Sequence, residues 1–107
     1  MSNKKSGENS SEMREAIEKA RRIQEERFLG ENFRFNSGIP AYKIDKYCKM
    51  TAKARMIMDK AYKKYSLSVR SYHKLIRVAR TIADLDGALY IEETHISEAL
   101  GYRTEVF

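Results

Sequence analysis

The stretch SVRSYHKLIRVARTIADLDG, residues 68–87, contains the apolar spacing that decides the fold. Counted at about 100° per residue from Arg70, its apolar side chains fall within an arc of roughly 120° to 240°, which predicts a helix with one core-facing side. The members of this core face are Tyr72, Leu75, Ile76, Ala79, Ile82 and Ala83. The opposite arc is polar and contains Arg70, His73, Lys74, Arg77, Thr81 and Asp84, with Arg80 at its margin. We expect Ser66 or Ser68 to cap this helix and Gly87 to end it in a left-handed turn.

Helical spacing continues through most of the chain, because only one proline and five glycines interrupt its 107 residues. A first helix is predicted over residues 9–28, with Asn9 as its cap and Glu12 completing a variant of the capping box. The side chains predicted to face inward from it are Met13, Ala16, Ile17, Ala20, Ile23 and Phe28. Two glycines and two asparagines make LGENFRFNSG, residues 29–38, the main predicted loop.

Three further helices complete the predicted fold. Pro40 opens a short helix that runs to about Cys48, and Thr51 caps another that runs to about Tyr65. After a short extended connector, ALYIEE, Thr94 is predicted to cap the final helix, HISEAL, with His95 on the surface. That helix directs three side chains inward: Ile96, Ala99 and Leu100. We therefore predict an all-α bundle of about five helices over residues 9–107, preceded by a flexible tail of residues 1–8.

Composition excludes several classes of function. The single cysteine, Cys48, rules out a disulfide framework and a multi-cysteine zinc site, and we expect it to be a small buried hydrophobe. The sequence contains no GxxxxGK[ST], GxGxxG or HExxH motif, so neither catalysis by this chain alone nor a metal site is expected. It also contains neither an apolar signal core nor the roughly 18 apolar residues of a membrane span, so a cytoplasmic location without membrane contact is expected.

The net charge of +6 is concentrated between residues 43 and 64, a segment that contains eight basic residues and only two acidic ones. Six lysines there could track a nucleic-acid backbone: Lys43, Lys46, Lys53, Lys60, Lys63 and Lys64. The interleaved Tyr42, Tyr47, Tyr62 and Tyr65 could stack on bases. The alternative is that these tyrosines belong to the core and the lysines only keep the surface hydrated.

The arginine face of residues 68–87 also allows two interpretations. It could be an ordinary solvated helix face. Against this, arginine's planar fork of donors suits phosphate or carboxylate, and Arg70 lies in the first helical turn, where the helix dipole disfavours a cation and favours an anion. Recognition of an anion outside the bundle is therefore a specific alternative.

Three segments together resemble one protein family. They are GENSSEMREAIEKARRIQEERF at residues 7–28, VARTIADL at 78–85 within the stretch quoted above, and EALGYR at 98–103. They are similar to the family patterns G-E-S-S-x-x-I-R-x-R-V-x-x-A-R-x-I-Q-x-x-R-F, S-x-R-x-Y-x-x-I-L-[KR]-V-A-R-T-I-A-D-L and H-[IL]-x-E-A-L-x-Y-R. The chain thus resembles the C-terminal lid domain of the magnesium-chelatase-like AAA+ ATPases, the ComM/YifB competence-related group. It departs from that pattern at NSGI, residues 36–39, at Glu15 and Ala16, and in its tail TEVF.

The resemblance implies a helical lid that closes over a nucleotide, without the ATPase core, which lies upstream in such proteins. It implies that Arg70, in SVR, is the sensor 2 residue, the lid arginine that reaches the β- or γ-phosphate. It also implies that Arg77 and Arg80 are supporting residues. They would either pair with carboxylates of the core or of a neighbouring subunit, or form salt bridges within the domain. ATP and magnesium would be cofactors of the parent protein, an expected hexamer that acts as a DNA helicase or branch-migration motor. The competing hypothesis is a free-standing basic helical module that binds DNA.

Overall fold

The computed structural model describes residues 6–102, which form five α-helices and two short 3-10 turns. The helices are α1 (Ser6–Arg27), α2 (Ile44–Tyr47), α3 (Ala52–Lys64), α4 (Val69–Leu85) and α5 (Glu93–Gly101). The two turns are Asn36–Gly38 and Ala41–Lys43. In this part of the chain no strand forms, and one parallel bridge joins Met50 to Ile91. The predicted all-α fold is confirmed.

Side-chain and glycine caps set the ends of α3 and α4 largely as predicted. The hydroxyl of Thr51 accepts the Ala54 N–H at 3.1 Å, and the hydroxyl of Ser68 accepts the Ser71 N–H at 3.0 Å. Gly87, with a φ of 73°, ends α4 in a left-handed turn in which the N–H of Ala88 donates to the Ala83 carbonyl. Ser66 does not cap α4. It takes the left-handed position after α3, with a φ of 52°.

Helix α4 lies at the centre of the bundle and packs against α1, α2, α5 and the 3-10 turn Asn36–Gly38, while α3 packs against α5. Its predicted core residues Leu75, Ile76, Ala79 and Ala83 are all buried. They join apolar side chains from α2, α3, α5 and the connectors: Phe28, Ile39, Ile44, Cys48, Ala54, Met58, Ile91, Ile96 and Ala99. One hydrophobic core therefore joins the last four helices.

A charged cluster is buried beside this core. The carboxylate of Asp84 accepts two hydrogen bonds from Arg27, at 2.7 and 2.8 Å, and one from the side-chain amide of Asn36 at 2.8 Å. Arg80 forms an ion pair with the same carboxylate at 3.1 Å and donates to the carbonyls of Ala88 and Leu89. The prediction that Asp84 lies on a solvated face is wrong, because Arg27 and the loop carrying Asn36 fold over it. These contacts tie α1, the long loop and α4 together.

Helix α1 differs from its prediction at its start and along its apolar stripe. It begins at Ser6, so Asn9 lies inside the helix, since no proline between residues 6 and 9 prevents helical hydrogen bonding. Residues 1–5 of the predicted tail lie outside the described residues. Ala20 and Phe28 are buried as expected, but Met13 and Ile17 are 62% and 46% exposed.

The start of α5 also corrects the sequence interpretation. Its N-cap is Glu92, not Thr94, and Glu92 forms a reciprocal capping box with His95. The Nδ1 atom of His95 accepts the Glu92 N–H at 2.9 Å, and its Nε2 lies 2.9 Å from the Asp86 carboxylate. His95 is buried and not on the surface, because both of its ring nitrogens serve this cap and the adjoining turn. Ile96 and Ala99 point inward as predicted, and Leu100 packs against the core.

None of the helices in residues 6–102 has both the length and the apolar character that crossing a membrane would require.

We predict that Asp84→Asn destabilises the fold by about 3–5 kcal/mol, because it leaves two arginines near the core without their counter-charge. Urea denaturation monitored by circular dichroism measures the loss. The matched control is Asp45→Asn, which removes an exposed carboxylate and should change stability by no more than about 0.5 kcal/mol. A loss for Asp84→Asn as small as that of the control would show that the buried cluster does not hold the fold.

Candidate functional site

The candidate site is a groove along α4, next to the 3-10 turn Asn36–Gly38. Its volume is about 300 Å³. One side chain comes from the turn and five come from α4, and together they are Ser37, Arg70, Lys74, Arg77, Val78 and Thr81. Four of the α4 residues have the spacing i, i+4, i+7 and i+11, so they form a single stripe on the helix. We call this feature the α4 groove.

Arg70 lies at the N-terminal end of the α4 groove, in the first turn of α4 after its cap Ser68. The side chain is exposed, and within residues 6–102 no hydrogen bond or ion pair engages it. The first turn of α4 contains no acidic residue to offset its charge. A cation at this end of a helix opposes the helix dipole, so an anion bound beside Arg70 would relieve that repulsion.

Arg77 lies about two turns further along the same stripe and is held by the long loop. Its Nε donates a hydrogen bond of 2.8 Å to the Ile39 carbonyl, and its side chain is partly buried. In the described part of the chain its two terminal nitrogens have no hydrogen-bond partner. The tether therefore fixes the guanidinium by one nitrogen and leaves the other two available at the groove.

The electrostatic character of the α4 groove is set by three cations from one helix. No aspartate or glutamate lies three or four positions from Arg70 or Arg77 along α4, so helical spacing provides no ion pair for these two arginines. Asp84 lies on the same side of the helix, but its carboxylate is occupied by the buried cluster. The groove is consequently a donor-rich site whose chemistry suits an anion.

Arg80, predicted as a supporting residue beside Arg77, does not line the α4 groove. It is 2% exposed. Arg80 was expected to pair either with a carboxylate of another domain or subunit or with one in its own domain, and the structure shows the second arrangement, a salt bridge to Asp84. Desolvation by burial lowers the pKa of its guanidinium, and Asp84 opposes that shift. Arg80 therefore serves to fix the connector between α4 and α5.

The lysines of residues 43–64 divide into two groups. Lys43 is engaged within the domain, because its ammonium lies 2.6 Å from the Glu31 carboxylate, which also accepts the hydroxyl of Tyr47. Lys46 lies over the Tyr47 ring. Lys46 is exposed, as are the four lysines on α3: Lys53, Lys60, Lys63 and Lys64. Of the six lysines, Lys43 is thus the one held by an ion pair within the described residues.

The tyrosines do not form one stacking surface. Tyr47 contacts Phe28 and Phe33 edge-on, and Tyr62 contacts Tyr72 in the same way. Tyr42 is 83% exposed, while Tyr65 lies beside Lys64. Tyr47 therefore belongs to the packing of the domain, and Tyr42 is the member most accessible to a ligand.

Cys48 is buried as expected, and burial raises the pKa of its thiol to about 11, which makes it a poor nucleophile at neutral pH. Among residues 6–102, no group of three or more histidine, cysteine or carboxylate side chains is placed to hold a metal ion.

Arg70 and Arg77, singled out from the sequence, both line the α4 groove, whereas sequence reasoning did not assign Lys74 or Ser37 to it. The spacing of Arg70, Lys74 and Arg77 is a local signal that could have found Lys74. Ser37 has no such signal, because only the folding of the long loop onto α4 brings it to the groove.

The fold and the α4 groove define a class of protein domain, namely a small all-helical domain with a basic groove on its central helix that suits an anion. Residues 7–103 match the family model for the C-terminal domain of magnesium chelatase subunit ChlI, and the chain belongs to this family. It is 43% identical over 100 residues to the competence protein ComM of Haemophilus influenzae, covering 94% of this chain and 19% of that protein.

A second relative is the uncharacterized protein YifB of Escherichia coli, 32% identical over 97 residues, with 91% of this chain and 18% of that protein covered. The chain spans about a fifth of the length of these relatives. The resemblance inferred from the sequence segments is confirmed.

We predict that Glu31→Gln lowers the melting temperature at neutral pH and that this effect disappears in acid. Hydrogen bonds from Lys43 and Tyr47 hold the pKa of Glu31 below its ordinary value of 4.5. Because the folded carboxyl binds a proton less readily than the unfolded one, the cluster stabilises the fold above about pH 4.5 and this stabilisation is lost as pH falls through the folded-state pKa.

Thermal melts over a series of pH values, from neutral to well below 4.5, measure the difference. Glu98→Gln, which changes an exposed carboxyl on α5, is the control and should show little difference at any pH. An effect of Glu31→Gln that does not depend on pH would contradict the assignment.

Proposed function

We propose that this chain is the lid domain of a magnesium-chelatase-like AAA+ ATPase and that Arg70 is its sensor 2 residue. In this role Arg70 contacts a terminal phosphate of ATP held by an upstream ATPase domain. The lid would couple ATP binding and hydrolysis to the movement of a ring of subunits, which is expected to be hexameric. One observation carries the proposal. Arg70 lies at the start of α4, at the end of a basic groove, where its side chain is exposed and has no partner within residues 6–102.

The α4 groove fits the phosphate part of this cofactor. Its polar lining consists of guanidinium, ammonium and hydroxyl groups, all of which can donate to phosphate oxygens. None of the residues lining it is a carboxylate, the ligand that magnesium prefers in proteins, so the ion would be held by the ATPase domain. When bound, the nucleotide supplies the phosphate whose presence the lid detects. Arg70 would orient that phosphate and offset its charge.

A role in DNA processing is the second part of the proposal. It is supported by the name of the Haemophilus influenzae relative, which refers to competence. The ATPase of the intact protein would then drive a DNA helicase or branch-migration motor, with the chain itself acting as the moving lid and performing no catalysis alone.

We predict that replacing by alanine the arginine corresponding to Arg70 in intact ComM reduces ATP turnover by about an order of magnitude or more, with nucleotide binding largely retained. Steady-state hydrolysis and a fluorescent-nucleotide titration measure the two quantities separately. The control replaces the residue corresponding to Arg55, an exposed basic position on α3 outside the groove. Turnover unchanged from wild type would remove the sensor 2 assignment.

A DNA-binding surface on α3 is a second candidate function, favoured by one observation. Lys53, Lys60 and Lys64 are exposed and fall within about 40° of one another around the helix axis. They form a row that could follow a phosphate backbone. We call this row the α3 lysine row.

If the α3 lysine row binds DNA, affinity for a single-stranded oligonucleotide should fall steeply with salt, by roughly 0.7 units of log–log slope per phosphate contacted. Replacing all three lysines by glutamine should then flatten that slope, as measured by fluorescence anisotropy at several salt concentrations. The control makes the same change at three exposed basic residues of α1: Arg14, Lys19 and Arg21. Equal effects of the two triple variants would indicate only a general dependence on net charge.

A further inference from the structure

We propose that Arg77 is a second phosphate-binding residue, which together with Arg70 forms a two-arginine clamp in the α4 groove. The inference deepens the proposed function, on which it rests, because it assigns to the same site a second arginine and a loop that positions it. Its ligand class is a chain of phosphate groups, as in a nucleoside triphosphate.

Arg77 uses only one of its side-chain nitrogens for a hydrogen bond within the described residues. Its Nε is bound to the Ile39 carbonyl at 2.8 Å, whereas its terminal nitrogens have no partner in residues 6–102. A guanidinium held at Nε can present its two terminal nitrogens as a pair to a single tetrahedral or planar anion. Lysine could not reproduce this, since one ammonium would have to serve both the carbonyl and the ligand.

The backbone that holds Arg77 is itself anchored by hydrogen bonds. Ile39 follows the turn Asn36–Gly38, which is fixed from three directions. The Asn36 N–H donates to the Gln24 side chain at 3.1 Å, and the Asn36 side-chain amide donates to Asp84 and to Thr81. The carbonyl that orients Arg77 is therefore anchored, through this turn, to the buried cluster at Asp84. Preorganisation of this kind reduces the entropic cost of binding a ligand.

The charge and the spacing of the two arginines match a chain of phosphate groups. Arg70 and Arg77 are seven residues apart, so their backbones are about 10.5 Å apart along the helix axis, with Lys74 between them. A single carboxylate from another protein surface would neutralise only one of the two arginines. A chain of phosphates carries several negative charges in a row and therefore matches the stripe better.

The test is isothermal titration of the 107-residue chain with inorganic tripolyphosphate at low ionic strength. We expect saturable binding that weakens about fivefold or more in Arg70→Gln and, separately, in Arg77→Gln, because each change removes a charge-assisted contact. Arg77→Lys should also weaken binding, although it keeps the charge. The matched control, Arg55→Gln on α3, removes one exposed arginine outside the groove and should change affinity less than about twofold.

Three results would overturn the clamp. In the first, the wild type shows no saturable binding of tripolyphosphate. In the second, Arg77→Gln binds tripolyphosphate as tightly as Arg55→Gln does. In the third, single-stranded DNA displaces tripolyphosphate, binds with the same affinity and depends on the same two arginines. Thermal melts verify that each variant is folded. If Arg77→Gln does not fold, the affinity of Arg77→Lys for tripolyphosphate tests the clamp instead.

The clamp and the proposed function can fail separately. If Arg70→Gln weakens binding and Arg77→Gln does not, the clamp fails and phosphate contact by Arg70 remains. If both variants weaken binding, but replacing the arginine that corresponds to Arg70 in intact ComM does not change ATP turnover, the groove binds phosphate and the sensor 2 role fails.

Discussion

The buried carboxylate of Asp84 is the constraint on which the rest of the structure depends. Four hydrogen bonds or ion-pair contacts converge on it, from Arg27 in α1, Asn36 in the long loop and Arg80 in α4 itself. Burying a carboxylate is costly unless its charge and its lone pairs are satisfied, so this site can exist only when all three segments are in place. The cluster thus specifies how α1 and the loop lie on α4 and does more than add stability.

The same cluster connects the fold to the candidate site. Asn36 holds the turn that precedes Ile39, and the Ile39 carbonyl orients Arg77 in the α4 groove. Because the Asp84 carboxylate is paired with Arg27 and Arg80, it does not neutralise Arg70 and Arg77 on its own side of the helix. One helix therefore carries an inner set of charges that stabilises the domain and an outer pair, Arg70 and Arg77, that lines the α4 groove.

Sequence reasoning predicted the parts of this structure that depend on local spacing and failed where distant segments meet. The apolar stripe of α4, the caps Thr51 and Ser68 and the left-handed Gly87 follow from residues within a few positions of one another. By contrast, counting angles placed Asp84 in solvent, because nothing in residues 68–87 reveals that Arg27 and Asn36 cover it. His95 was misassigned for a related reason, since a histidine at N3 can replace the usual Glu or Gln of a capping box. At the site, Arg70 could be recognised from its motif, whereas the tether of Arg77 required the folded loop.

A structure of intact ComM from Haemophilus influenzae bound to magnesium and a slowly hydrolysed ATP analogue would test the role of Arg70 most directly. We predict that the guanidinium of the arginine corresponding to Arg70 lies within about 3 Å of a terminal phosphate oxygen, the distance of a charge-assisted hydrogen bond. An α4 groove that faces solvent, or that binds a carboxylate of the neighbouring domain while the nucleotide is bound elsewhere, would contradict it.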